Sequence, residues 1–319
     1  MAVHLVRFTH QDTEAWGVVR GHQVHTLDID APTSRDLIEG YRQALLDDAE
    51  ALQIGESLEL SSLTLHSPVN GPCRVLCQGA NYTQHMIDSG MRPRDKRFNM
   101  IFNKSSASIS GPTDPIVRPE HVRLLDYEVE LGLVMGQPVH ETLGRTANLA
   151  DLIAGVVLAN DVTARDVQIP QMQFFKGKSY RSFCPVGPIL CLLHPDEIGQ
   201  LEQMNLTLWV NGEQRQSDST ANLVFKPLET LLELSQISDL DPGDLVLTGT
   251  PSGCAMQIPS PIVVRLSGLL PDPTRFSLFK RMQARRSAYL KPGDVVEATI
   301  ASADGRVQLG RQRNVVVAS

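Results

Sequence analysis

The sequence predicts an α+β fold in which strands predominate, with a small leading domain ahead of a larger one. Three observations carry this. From Cys73 onward, short apolar runs alternate with turns built from Gly, Pro, Asn and Asp, the pattern of strands joined by tight connections. Few long helical periods interrupt them. Two segments, DPGDLVLTG (241–249) and KPGDVVEATI (291–300), each set a Pro-Gly-Asp turn before an apolar strand. Two such instances do not make a repeat protein.

Taken in chain order, WGVV and QVHTL flank Arg20-Gly21-His22 within residues 4–28, which predicts a hairpin. Between Ser34 and Leu58 the residues Leu37, Ile38, Tyr41, Leu45, Leu46 and Leu52 recur at roughly helical spacing, with Ser34 placed to cap. The passage HSPVNGP (66–72) then separates this unit, expected at residues 1–70, from the larger domain over 71–319. The run AGVVLA (154–159) reads as a buried segment ending at Asn160-Asp161. Near the end, FSLFKRMQARRSAYL (276–290) reads as a helix whose basic cluster, Lys280, Arg281, Arg285 and Arg286, forms a solvated face. The same helix could serve a dimer interface or a cover that attracts acidic substrates.

Bulk properties narrow the partners. The chain has 319 residues, 42% hydrophobic and 20% charged, enough for a substantial core. A formal net charge of -7 argues against nucleic acid and anionic membranes, which need a positive field. The start, MAVHLVRFTHQDTEAW, lacks the basic and apolar regions of a secretory signal, and no run approaches the ~20 apolar residues of a membrane span. A cytoplasmic location is the resulting expectation, and small molecules the expected ligands. The five cysteines form an odd set without CxxC pairs, so buried reduced thiols are expected rather than a disulfide framework or structural zinc.

The chemistry centres on LLDYEVELGLVMG (124–136). From Asp126 to Leu131 polar and apolar residues alternate, the period of a half-buried strand, which places Asp126, Glu128 and Glu130 on one face. Side chains two apart on a strand are roughly 7 Å apart, so three carboxylates repel unless a cation or basic groups neutralise them. A solvated acidic face on an edge strand is the competing explanation. Asp161, at the exit of the buried segment, supplies a third oxygen ligand and favours the metal. Two glutamates and an aspartate without a His or Cys partner suit Mg²⁺, Mn²⁺ or Ca²⁺ rather than zinc or copper. Such an ion could be chelated by a 2-oxo acid, polarising its carbonyl and stabilising an enolate.

Four motifs, DYEVELG, NDVTARDVQ, KSYRSFCPVGP and LTGTPSG, followed by LKPGDVVEATI, resemble in order the catalytic domain of the fumarylacetoacetate hydrolase family. The resemblance runs from about Arg74 to Gly253 and resumes at Leu290. It implies a mixed β-sandwich roll, a homodimer, and Glu128, Glu130 and Asp161 as metal ligands, with Asp126 in a supporting role. It places Arg165, Gln168 and Thr250 at the substrate's polar groups and makes Lys178, not Lys176, the group that steadies the developing oxyanion or enolate.

QGANYTQHMIDSG (78–90) resembles the family's NYxxHxxE loop, with His85 as general base and Asp88 where glutamate is typical. The aspartate is one methylene shorter, which makes its contact with an attacking water doubtful. The implied reaction is metal-dependent hydrolysis of a C–C bond in an acylpyruvate-like diketo acid. Decarboxylation, isomerisation or hydration of a related 2-oxo acid stands beside it, as does binding without turnover.

Overall fold

In the computed structural model, residues 1–55, 57–88, 98–171, 173–257 and 270–319 are described, except for the side chain of Asp88. The fold is α+β and mostly β. The expected hairpin is present: Thr13–Arg20 pairs antiparallel with Gln23–Thr26 around Gly21, whose φ of +63° suits a residue without a Cβ. The first helix spans Ser34–Asp48 and is capped by Thr33, not Ser34. Thr33 Oγ1 accepts from the Asp36 amide at 3.2 Å, while the Asp36 carboxylate accepts from the Thr33 amide at 3.0 Å. This reciprocal box is worth about 1 kcal/mol. The Ser34 hydroxyl instead donates to the Asn70 carbonyl, so the 66–72 passage is tied to the helix start. Leu52 lies beyond the helix, where its carbonyl accepts from the Asp28 amide.

A twelve-stranded sheet forms the body of the molecule. Its main path runs Leu58–Glu59, Gln23–Thr26, Thr13–Arg20, Val3–His10, Cys184–Leu192, Ile153–Asn160, Val129–Met135, Leu245–Leu247, Val75–Gly79 and Met100–Lys104. Val3–His10 pairs with Cys184–Leu192 through Val3↔Leu192, so the leading residues continue the sheet that carries the later motifs. A second, five-stranded sheet holds Glu213–Ser219, Met204–Val210, Val295–Ser302, Gln308–Ala318 and Ile116–Arg118.

The two sheets enclose one apolar cluster. Leu131, Leu133, Val156 and Leu158 from the larger sheet meet Leu206, Leu208, Ala298 and Ile300 from the smaller. On the opposite face, Val134, Val157, Leu190 and Leu245 share a second cluster with Leu37, Ile38 and Leu45 of the first helix. Full burial of each such side chain contributes roughly 1.5–3 kcal/mol.

The acidic segment departs from its half-buried expectation. It is split into Leu125–Asp126 and Val129–Met135, and every residue from 124 to 135 is buried. The cause is position: Val129–Met135 is an inner strand between Ile153–Asn160 and Leu245–Leu247. A solvated edge therefore does not explain these carboxylates.

The late helix spans Asp272–Ala284 and is mostly exposed, with Gln283 buried. Gln283 Nε2 donates to the Gln257 carbonyl at 2.6 Å, and Arg286 Nε donates to the Ala255 carbonyl at 3.0 Å. Gln283 and, just past the helix, Arg286 thus attach it to residues 255–257.

Candidate active site

Strand register builds the acidic cluster. Val129 lies opposite Asn160. The Asp161 amide donates to the Glu128 carbonyl at 2.8 Å, and the Glu128 amide to Asn160 Oδ1 at 2.9 Å. Each of Glu128, Glu130 and Asp161 brings one carboxylate oxygen to within 4.8 Å of the others, and all three are buried. At an effective dielectric near 20, each like-charged pair at that distance repels by about 3.5 kcal/mol.

Three basic side chains offset part of this repulsion. Lys178, at the end of the helix Phe174–Lys178, donates to Glu128 Oε2 at 2.6 Å, Asp161 Oδ2 at 2.5 Å and Thr163 Oγ1 at 2.9 Å. Arg165, which opens the helix Arg165–Gln171, donates through Nε to Asp126 Oδ2 at 2.8 Å and through Nη2 to Glu128 Oε1. Lys104, which sequence reasoning missed, is buried and donates to Asp161 Oδ1 at 2.5 Å and to the Phe183 carbonyl at 2.7 Å. It closes the ordinary-looking strand Met100–Lys104, and nothing in that strand signals its partner across the fold.

Protonation follows from these neighbours. Burial opposes ionisation of Glu128, but Arg165 and Lys178 outweigh it and hold the carboxyl down at about 2. Burial likewise opposes the charge on Lys178, yet Asp161 and Glu128 raise its pKa above the ordinary lysine value. Glu130 goes the other way: burial, then Asp161 and Glu128, push its carboxyl well above the usual range, and the Gly249 amide, donating to Oε2 at 2.8 Å, only partly compensates. A cluster of buried oxygen donors still short of positive charge fits a hard divalent cation.

Asp126 lies outside this group. It accepts from Arg165 and from the amides of Ala255 at 2.7 Å and Met256 at 3.1 Å. Arg286 and Gln283 hold that same 255–257 strap, so the late helix supports, through Asp126, the arginine that contacts Glu128.

A cavity of about 260 Å³ brings the remaining residues together: His85, Glu128, Glu130, Arg165, Gln168, Lys178 and Thr250 all line it. His85 is half-buried in the helix Thr83–Asp88, and burial lowers its pKa below the ordinary 6.5 against the opposing pull of Glu128. Asp88 ends that helix, and its side chain lies outside the described residues. Arg165 and Gln168 are buried and joined, Nη1 to Oε1, at 3.0 Å. The Thr250 hydroxyl is engaged, donating to the Val129 carbonyl and accepting from Gln216 Nε2, both at 2.9 Å. Lys178 is buried while Lys176 is exposed. A reason lies in Gly177, where an added Cβ would come within 2.9 Å of the Gln168 main chain. The two short helices touch backbone to backbone there, and this close approach sets the height of the lysine.

The model of the fumarylacetoacetate hydrolase C-terminal family matches residues 74–317. The chain belongs to the fumarylacetoacetate hydrolase family. Within the family it is 36% identical over 208 residues to the oxaloacetate tautomerase YisK of Bacillus subtilis, covering 65% of this chain and 68% of that one. It is 33% identical over 276 residues to the 2,4-didehydro-3-deoxy-L-rhamnonate hydrolase of a Sphingomonas species, covering 84% of each. The crystal structure of a probable 2-hydroxyhepta-2,4-diene-1,7-dioate isomerase from Mycobacterium abscessus superposes with a TM-score of 0.75 at 33% identity, covering 100% of this chain and 99% of the other. Family members so named act as tautomerases, isomerases and hydrolases of oxo acids. This chain is accordingly an enzyme of the fumarylacetoacetate hydrolase family, with an acidic triad able to bind a divalent metal.

Proposed function

We propose that the protein hydrolyses a C–C bond in an acylpyruvate-like acid, using Mg²⁺ or Mn²⁺ held by Glu128, Glu130 and Asp161. Ca²⁺ is admissible by donor type alone. The observation that carries this reading is that His85 shares one cavity with the buried Glu128, Glu130 and Lys178. The bound cation supplies Lewis-acid polarisation and charge stabilisation at the 2-oxo acid's oxygens.

The chain's own groups divide the remaining work. Gln168, its carboxamide oxygen held by Arg165, is left with its NH₂ to donate to the substrate's carboxylate. Thr250 bounds the cavity beside it. His85 is neutral at pH 7 because its pKa is lowered, so it can take a proton from water. The resulting hydroxide adds to the distal carbonyl carbon. Collapse of that adduct breaks the C–C bond and leaves the electron pair on the pyruvate fragment as an enolate. Lys178, kept charged by Asp161 and Glu128, faces the new negative charge. The proton held by His85 returns to the enolate carbon, giving pyruvate and a carboxylic acid. Asp88 serves in this scheme to steer His85.

A second reading is keto–enol tautomerisation of a 2-oxo acid. It is favoured by the shorter Asp88 and by the oxaloacetate tautomerase among the relatives, and needs proton transfer without an attacking water. The deciding experiment gives the metal-loaded protein acylpyruvates and, separately, enol-oxaloacetate. Stoichiometric pyruvate and carboxylic acid, lost with chelator and in Glu128→Ala, is the expected result. Rapid loss of the enol with no acylpyruvate cleavage would refute hydrolysis.

A further inference from the structure

We infer that the substrate carries a single carboxylate and an uncharged, apolar distal group, alkyl or aryl, rather than a second acid. This deepens the reading above and rests on it. Two independent features of the cavity carry the inference.

The first is its wall. Beyond the groups already named, the cavity is lined chiefly by Met100, Phe102, Ile169, Phe174 and Met256, with Gln78 as a polar neighbour. Phe102 and Phe174 stack with ring centroids 5.0 Å apart at 22°, and the Lys178 ammonium lies 5.3 Å from the Phe102 centroid. The aromatic pair therefore extends from the reacting end along the cavity. Rings and thioethers of this kind gain by covering apolar surface and offer no partner to a carboxylate.

The second is the charge balance. Asp126, Glu128, Glu130 and Asp161 bond to, or stand against, Lys104, Arg165 and Lys178. Four carboxylates face three cations, so among the described residues the cluster holds no cation to spare. Among the described lining residues the two cations, Arg165 and Lys178, are both already paired with carboxylates. Among the described residues, a second substrate carboxylate would find no free cation in the cavity and would lie against aromatic rings. About 260 Å³, roughly nine water volumes, accommodates a short alkyl chain or one ring beyond the pyruvyl end.

The test is calorimetric titration of the Mn²⁺-loaded protein with unreactive 2-oxo acids: pyruvate, 2-oxobutanoate, 2-oxopentanoate, 2-oxohexanoate, phenylpyruvate and 2-oxoglutarate. The expected result is affinity rising about fourfold per methylene, phenylpyruvate among the tightest, and 2-oxoglutarate at least tenfold weaker than 2-oxohexanoate. Phe174→Ser should cut the gain per methylene to less than twofold. 2-Oxoglutarate binding as tightly as 2-oxohexanoate, or a flat chain-length series, would overturn the inference while leaving a 2-oxo acid site in place. No binding of any 2-oxo acid would overturn it together with the function proposed above.

Discussion

Glu130→Gln should stabilise the metal-free protein while abolishing its response to metal. In the wild type, the Glu130 carboxyl lies within 4.8 Å of ligand oxygens from both Glu128 and Asp161. Two such repulsions at about 3.5 kcal/mol each give a gross cost near 7 kcal/mol at full ionisation. The Gly249 N–H and the attraction of Lys178 return part of it. Because the folded pKa is raised, the stability that Glu130 contributes is complete below its unfolded value, near 4.5. It is lost as pH rises through the folded pKa. At pH 7.5 the amide removes this penalty and keeps an oxygen for Gly249, for a net gain of about 1–3 kcal/mol after the offsets. Thermal denaturation in chelator should show the variant melting roughly 2–6 °C above wild type. With Mn²⁺ at about a thousand times its Kd, the wild type should gain about 4.1 kcal/mol and overtake the variant. A variant less stable than wild type in chelator, or one that keeps the full Mn²⁺ gain, would refute the argument.

Two further outcomes follow from the site. The acidic limb of the pH–rate profile, set by His85 losing its proton, should fall below pH 6.5 because burial lowers that group's pKa; steady-state rates from pH 4.5 to 8 on the metal-loaded protein would show it, and a limb above 6.5 would contradict it. Lys104→Met should destabilise the protein by about 3–5 kcal/mol, since it strips a buried carboxylate oxygen of its ion partner, and urea denaturation should show the midpoint moving with little change in slope.

Much of the site could be read from local pattern. Alternation around Glu128 and Glu130 and the apolar run before Asp161 are properties of single segments, and both lead to the observed cluster. What stayed hidden depends on pairing between distant segments. The partnership of Lys104 with Asp161 spans 57 positions, and that of Asp126 with the Ala255 amide spans 129. No periodicity within the sequence encodes either register. Ser34 and Thr33 are both good caps, and the choice fell to Thr33 because Asp36 stands at the position that completes its box. The alternation from Asp126 to Leu131 predicts a half-buried strand; that these residues alternate inside the sheet follows from two flanking strands supplied by residues 153–160 and 245–247.

The contact at Gly177 bears on how such a pocket can be re-engineered. Only a hydrogen fits against the Gln168 main chain, so the reach of Lys178 depends on the spacing of two backbones. Two positions earlier, the Phe175 side chain is exposed and its identity is free of that spacing. A designer seeking new substrates has latitude in the rings that line the cavity and at the outer surface of this helix. The close approach of Gly177 to Gln168 is the fixed part, and any graft of the lysine onto another scaffold must carry the glycine with it.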